Sequence, residues 1–437
     1  MLLAATQLIG VIDFSIVNVA LPSIGRQFGL RADDLQWVVT AYTLVQAGFL
    51  LLGGRLCDVF DAKRVFMTAL VLFGVASLAG GLAPNAALVF VARGAQGLAG
   101  AVLAPGSLVL VTREFEEGES RNRALGVFGT VASLGFVLGV VIGGLLTGFA
   151  GWRWVFFVNA PIIAVMVFAA AILLRSDADG ASHPPLDLRG ALAGTASVLA
   201  LVAGVATSSF APRKAAALMA VAAGLFGLFV WIERTAKEPL VPFAVFRSRQ
   251  FTGAILVAGL TYIALISTIF NNTLILQQFF RLSPQGAGLA FVPGGLLGMA
   301  AGSLAGPAVR RFGVRGTALG GVALTAFGCA VILGPGLHGS AFWVAAGNSL
   351  TGPVIFTLVM CTIAATSAIA GERMGLSGGL LNTTQFVCGA VGTAVVGVID
   401  VPGTLEAYAT AVMFALVALA AAGGAAVVFL RPGPAAT

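Results

Sequence analysis

Charge is what this sequence has least of. Only 9% of its 437 residues are Asp, Glu, Lys or Arg, while 59% are hydrophobic. A soluble domain carries about 25% charged residues, so an ordinary cytoplasmic enzyme is excluded, and so is a disordered or fibrous chain. Histidine is nearly missing: His183 and His338 are the two, and both fall between apolar runs. The four cysteines, Cys57, Cys329, Cys361 and Cys388, are far apart and form no C-x-x-C pair. Metal ligation and a disulfide framework therefore have no support. There is no H-E-x-x-H helix, no nucleophile paired with a base, and no G-x-x-x-x-G-K-[ST] loop, so neither a membrane enzyme nor a nucleotide-driven machine is indicated. The first charge is Asp13 and the first base is Arg26, so the chain has no basic region of the kind that opens a cleaved leader. The first apolar run is expected to be retained, and its beginning at Met1 leaves room for a start further upstream.

What is present is long apolar runs, with a mean hydropathy of +1.01. A bilayer-spanning helix needs roughly 20 apolar residues. Runs bounded by charges, Gly and Pro predict spans at 2–24, 34–54, 65–83, 86–111, 123–148, 153–174, 188–207, 214–232, 251–279, 285–308, 316–334, 341–369, 374–399 and 406–430. The expectation is an all-α polytopic membrane protein with fourteen transmembrane helices. Its one long polar stretch, Arg175 to Arg189, precedes the two Ala- and Gly-rich runs.

Lys and Arg set the orientation. With the N-terminus in the cytoplasm, seventeen of the 24 fall in inner loops and six in outer ones, with Arg93 inside a span. That asymmetry predicts both termini inside and an even number of spans. The net charge of +7 is thus a topology signal that needs no nucleic acid to explain it. A repeat is also visible. GRLCDVFDAKR (Gly54–Arg64) and GPAVRRFGVRG (Gly306–Gly316) each follow the second span of a half, aligning Asp58 with Arg310, Phe60 with Phe312 and Lys63 with Arg315. Two parallel six-helix bundles follow, at 1–174 and 251–437, with 175–250 a linker carrying two additional helices.

These residues resemble the major facilitator superfamily, and specifically its fourteen-span drug/proton antiporter branch. Four segments carry the resemblance: IDFSIVNVALPSI (Ile12–Ile24), the loop at Gly54–Arg64, RGAQGLAGAVLAP (Arg93–Pro105), and GFVLGVVIGG (Gly135–Gly144) with its sequel WRWVFFVNAP (Trp152–Pro161). LSPQGAGLAFVP (Leu282–Pro293) is similar to the same branch. Departures occur at Val59, Asp61 and Ala62 in the loop, and at Val140, where the branch's antiporter motif has proline. The resemblance implies the major facilitator fold, no cofactor beyond the proton as coupling ion, and a multi-pass place in the cell membrane.

Asp13 is the leading functional candidate. A carboxylate within a span costs about 2.5–3.5 kcal/mol on insertion scales, so it is expected to be neutral, paired or facing a wet cavity. The bland alternative puts it near the water boundary, bonded to Ser or Asn. Arg93 is expected to act as a fixed counter-charge, since guanidinium does not deprotonate; the alternative is an arginine snorkelling outward. Gly54, Asp58, Lys63 and Arg64 are read as a gating loop, with Asp61 competing with Asp58 for the same bases. Gly135, Gly139, Gly143 and Gly144 lay a small face along span five, which allows close helix approach. Candidates for a substrate cavity are Tyr42, Gln46, Gln96, Tyr262, Asn271, Asn272, Asn348, Asn382 and Gln385. No catalytic or metal residue is expected.

The combined expectation is a proton-driven exporter of amphipathic or hydrophobic small molecules, working as a monomer in the bilayer by rocking of its two halves. One proton crossing 100 mV supplies about 2.3 kcal/mol, enough for roughly a 50-fold gradient of a neutral solute. Alternatives are a dedicated exporter of one endogenous metabolite or antibiotic, and a transport-inactive scaffold or regulator.

Overall fold

A computed structural model describes residues 2–114, 134–135, 138–174, 188–208, 211–236, 241, 243–368, 374–399 and 404–430. All regular structure among the described residues is helical. In chain order the helices are α1 (Leu2–Phe28), α2 (Ala32–Leu35), α3 (Trp37–Val59), α4 (Ala62–Gly81), α5 (Ala86–Glu114), α6 (Leu138–Phe149), α7 (Trp154–Phe157) and α8 (Asn159–Leu173). Then come α9 (Leu188–Ala206), α10 (Pro212–Thr235), α11 (Arg249–Leu274), α12 (Pro284–Val331), α13 (Ala341–Thr351), α14 (Val354–Ser367), α15 (Met374–Ile399) and α16 (Leu405–Phe429). Ten helical stretches among the described residues are long and apolar enough to cross a membrane, and Trp37–Leu50, Leu138–Phe149 and Arg189–Val205 are shorter apolar helices. The first part of the expected span at 123–148 lies outside the described residues.

Helix starts follow side-chain chemistry. Ser248, Ser283 and Thr404 accept from the backbone N–H groups of Phe251, Gly286 and Ala407, so α11, α12 and α16 each open on an N-cap. Asp61 does the same for α4, accepting from the Arg64 N–H at 2.9 Å. The runs at 285–308 and 316–334, expected as two spans joined by a loop, form one helical stretch broken at Gly313. There φ is +70°, a conformation that glycine alone adopts cheaply. The expected span at 341–369 is present as one apolar stretch, Ala341–Ala365, made of α13 and α14, which meet at Gly352–Pro353.

The chain divides into two compact units: Met1–Leu30 with Asp34–Leu240, and Arg31–Asp33 with Val241–Thr437. In the first, α3 packs along α5, α4 against α5 and α8, and α9 against both α10 and α3. Gly97 lets α5 approach the carbonyl of Tyr42 on α3, where a Cβ would collide with backbone. In the second unit, α11 packs against α14, α15 and α16, and α12 against α13, α14 and α16.

The glycines of α6 set its distance from α1. A Cβ on Gly139 would run into the Ser15 hydroxyl and the Ile12 carbonyl, and one on Gly143 would lie 2.8 Å from the Ile16 carbonyl. Gly139→Val should therefore cost about 1–3 kcal/mol of stability through overpacking. Gly10→Ala should cost nothing, since a Cβ there meets no atom within 4 Å. Thermal melting of the detergent-solubilised variants measures the contrast.

A buried charge cluster as the candidate functional site

Asp13 lies in the middle of α1 and is fully buried. Its Oδ2 accepts from Arg93 Nη1 at 2.6 Å, with both side chains at 0% exposure. Its Oδ1 accepts from Gln96 Nε2 at 2.9 Å and from Asn159 Nδ2 at 2.6 Å. Three hydrogen-bonding partners thus converge on Asp13 from α5 and α8, and Arg93 Nη1 also donates to Gln96 Oε1 at 2.8 Å. Ser77 on α4 joins by accepting from Gln96 Nε2 at 2.9 Å while donating to Phe73 O.

Arg93 is held on its far side too. Its Nε donates to Val38 O at 3.0 Å, and its guanidinium carbon stands 4.3 Å from the centroid of the Tyr42 ring. A cation over an aromatic face is stabilised when both are removed from water. The guanidinium is therefore inserted between α1 and α3, and neither the snorkelling arginine nor the acid at a water boundary describes this pair. Two polar atoms of the cluster, Arg93 Nη2 and Asn159 Oδ1, are buried without a hydrogen-bond partner among the described residues.

The cluster lies near the end of the unit at which α4 stops and α3, α5 and α8 begin. That end is covered by the sequence Trp152–Arg153–Trp154. Trp152 Nε1 and Arg153 Nη1 both donate to Gln27 Oε1, at 2.6 and 2.8 Å, and Arg153 Nη2 donates to Ala83 O at 3.1 Å. Trp152 packs edge-on against Phe28 and Phe156. The end of α1 and the turn between α4 and α5 are tied together above the buried charges.

The other expected site residues scatter. Tyr42 and Gln96 belong to the charge cluster, while Gln46, also buried, reaches Gly100 on α5 beside the Tyr42 hydroxyl. In the second unit Asn272 donates to Asn348 Oδ1 at 3.1 Å, and Asn271 donates to Tyr408 O at 3.4 Å, so both tie helix to helix. Tyr262, Asn382 and Gln385 are half-buried, with Tyr262 edge-on to Phe386.

The loop at 54–64 does local work. Lys63 Nζ donates to Ala171 O and Leu174 O, at 2.9 and 2.6 Å, closing the C-terminal end of α8 where a cation suits the helix dipole. Asp61 caps α4 and Arg64 is exposed. Gly54 faces Pro105, and the Asp58 side chain lies outside the described residues. Gly139 and Gly143 seat α6 on α1 beside Asp13, Gly135 ahead of that helix faces Leu8 and Val11 of α1, and Gly144 is buried.

Sequence reasoning passed over Asn159, Ser77 and Glu233. Asn159 was legible as a lone amide opening an otherwise apolar run. Glu233 stands just past the expected eighth span, yet the last turn of α10 buries it to 3% exposure.

Removing one partner of a buried ion pair leaves an uncompensated charge and costs about 3–5 kcal/mol. Arg93→Gln should therefore lower stability by that order, as should Asp13→Asn, and the double variant Asp13→Asn/Arg93→Gln should recover most of it. Melting curves of the two single variants and the double variant close the cycle; independent, additive losses would contradict the pairing.

Comparison with known proteins agrees with this architecture. The profile described as Major Facilitator Superfamily matches residues 3–393. The puromycin resistance protein pur8 of Streptomyces alboniger is 34% identical, covering 94% of this chain and 87% of its own. The cephamycin export protein CmcT of Amycolatopsis lactamdurans is 36% identical, covering 90% and 83%. The crystal structure of the human organic anion transporter MFSD10 superposes with a TM-score of 0.66 at 16% identity, covering 96% of this chain and 98% of that one, a likeness of fold.

Proposed function

The chain belongs to the major facilitator superfamily, and from that premise we propose that it exports hydrophobic or amphipathic small molecules, antibiotics among them, in exchange for protons. The observation that carries the reading is the fully buried Asp13–Arg93 pair, set in a membrane transporter whose relatives include resistance and export proteins. An ionisable residue inside a span is functional by default.

The exchange follows from what holds each partner. Arg93 is anchored to α3 through Val38 O and the Tyr42 ring, and α3 and α5 meet backbone to backbone at Gly97. α1 reaches that arginine through the Asp13 carboxylate. A proton arriving at Asp13 removes the charge that Arg93 balances, and the buried cation then draws toward water or toward substrate. Asn159 suits either state of the acid. Its Nδ2 donates to the carboxylate, and a rotation of its amide presents Oδ1 to accept from the neutral acid's O–H. α1 and α8 are thereby freed to shift against the α3–α5 pair, and return of the charge pulls them back.

Fourteen spans suit this mechanism, and the count is supported by the three shorter apolar helices and by the break at Gly313, which divides one of the ten long stretches. An even count keeps both termini on one side, which the Lys and Arg distribution makes the cytoplasm. Neither a cofactor nor a partner subunit is needed, because the proton supplies the energy and the bilayer the setting.

Proteoliposomes with an imposed pH gradient test the reading, with puromycin as probe. The wild type should move the drug only while the gradient lasts, and puromycin added to weakly buffered detergent solution should release protons. Asp13→Asn should reduce both signals to those of protein-free controls while melting at a temperature that shows it folded. Gradient-driven transport by Asp13→Asn equal to that of the wild type would overturn proton coupling at this residue.

A further inference from the structure

Two helices of the first unit take no part in the charge cluster. α9 and α10 form an antiparallel hairpin in which Ser197 donates to Ala222 O at 3.1 Å and Gly194 admits the ring of Phe229. Thr195 on α9 donates to the Gly48 carbonyl, which ties the hairpin to α3. Along the hairpin runs a groove of about 720 Å³ with apolar walls from Leu192, Ala196, Leu225, Leu228 and Trp231, and with Arg189 at one end.

We propose that this groove holds an acyl chain of an anionic phospholipid whose phosphate rests on Arg189. The volume falls within the about 300–1,000 Å³ of ligand sites. Leu192 is 55% and Trp231 63% exposed on helices apolar enough to lie in a bilayer, so hydrocarbon and not water is the medium that meets them. Arg189 carries the one charge among the described residues that line the groove. Arg189 is exposed and makes no ion pair or hydrogen bond among the described residues, it stands in the first turn of α9, and Arg234 is exposed at the same end of the hairpin. A helix N-terminus and a guanidinium both favour phosphate. Thr235 lines the groove, but its hydroxyl donates to Trp231 O and Ile232 O within its own helix, which leaves Arg189 as the anchor. Glu233 lies on the opposite, buried face of α10 with Ala222 and Phe229 and does not line the groove. An indole beside the polar end is the residue type enriched at the level of lipid headgroups.

Trp231 supplies the probe. The full chain is placed in nanodiscs containing phosphatidylglycerol or phosphatidylcholine with brominated chains. Quenching at this site is taken as the difference between wild type and Trp231→Phe. Phosphatidylglycerol should be favoured about fivefold at equal mole fraction, the effect of one basic residue near an anionic lipid. Arg189→Gln should bring the two lipids level, Arg189→Lys should keep most of the preference, and Ala196→Phe should narrow the groove and weaken the preference. Equal quenching by both lipids in the wild type, a preference that survives Arg189→Gln, a preference unchanged by Ala196→Phe, or a preference abolished by inorganic phosphate would each overturn the proposal.

Discussion

A carboxylate and a guanidinium removed from water and set 2.6 Å apart are the constraint on which the first unit depends. Each charge alone inside a membrane-spanning bundle is expensive, and together they remain tolerable only while their other polar atoms are also met. Among the described residues the structure meets all of them but Arg93 Nη2, from five helices: Gln96 and Arg93 on α5, Asn159 on α8, Ser77 on α4, and Val38 with Tyr42 on α3, around Asp13 on α1. Glycines bring the helices close enough for these short side chains to reach, since α6 and α5 approach backbone where a Cβ would collide. Packing and electrostatics are thus one problem here. Widening the α3–α5 seam would break the hydrogen bond from Arg93 to Val38 O.

The second unit repeats the packing and omits the charge. The same number of residues separates Ser15 from Ser267 as separates Gly54 from Gly306, and each serine faces a glycine of a partner helix, Gly139 or Gly392. At that spacing Leu265 corresponds to Asp13, Ala345 to Arg93, Cys329 to Ser77 and Asn348 to Gln96. What remains of the cluster is an amide pair, Asn272 with Asn348. A neutral pair has no proton to gain or lose near neutral pH, so any response of these two clusters to the proton gradient belongs to the first unit alone. The asymmetry leaves a charged pair in the first unit and a neutral amide pair in the second.

Much of this was legible along the chain because a bilayer imposes a strong one-dimensional rule. A run of apolar residues has to be a helix if its backbone is to be satisfied, and its length sets whether it can cross. Where the rule weakens, the reading slipped. The Arg310–Arg315 stretch reads as a loop because it is charged, yet its backbone stays helical except at Gly313, where a positive φ makes the break. The Gly352–Pro353 step reads as helix interior because it is flanked by apolar residues, yet it divides α13 from α14. Asp61 and Lys63 have neighbours in space that position in a motif does not disclose, the ends of α4 and α8.

From the residues in order came a membrane-embedded helical protein, its internal repeat, and the single acid and single base placed within spans, because hydrophobicity, periodicity and charge are properties of residue types. That Asp13 and Arg93, 80 positions apart, touch each other could not be read that way, nor could the choice of Asn159 as third partner over the other buried amides. Hydrogen bonds act over about 3 Å, and which groups come within that distance depends on how helices rotate and close on one another. The pattern of glycines permits that closure, and only the folded chain decides which faces meet.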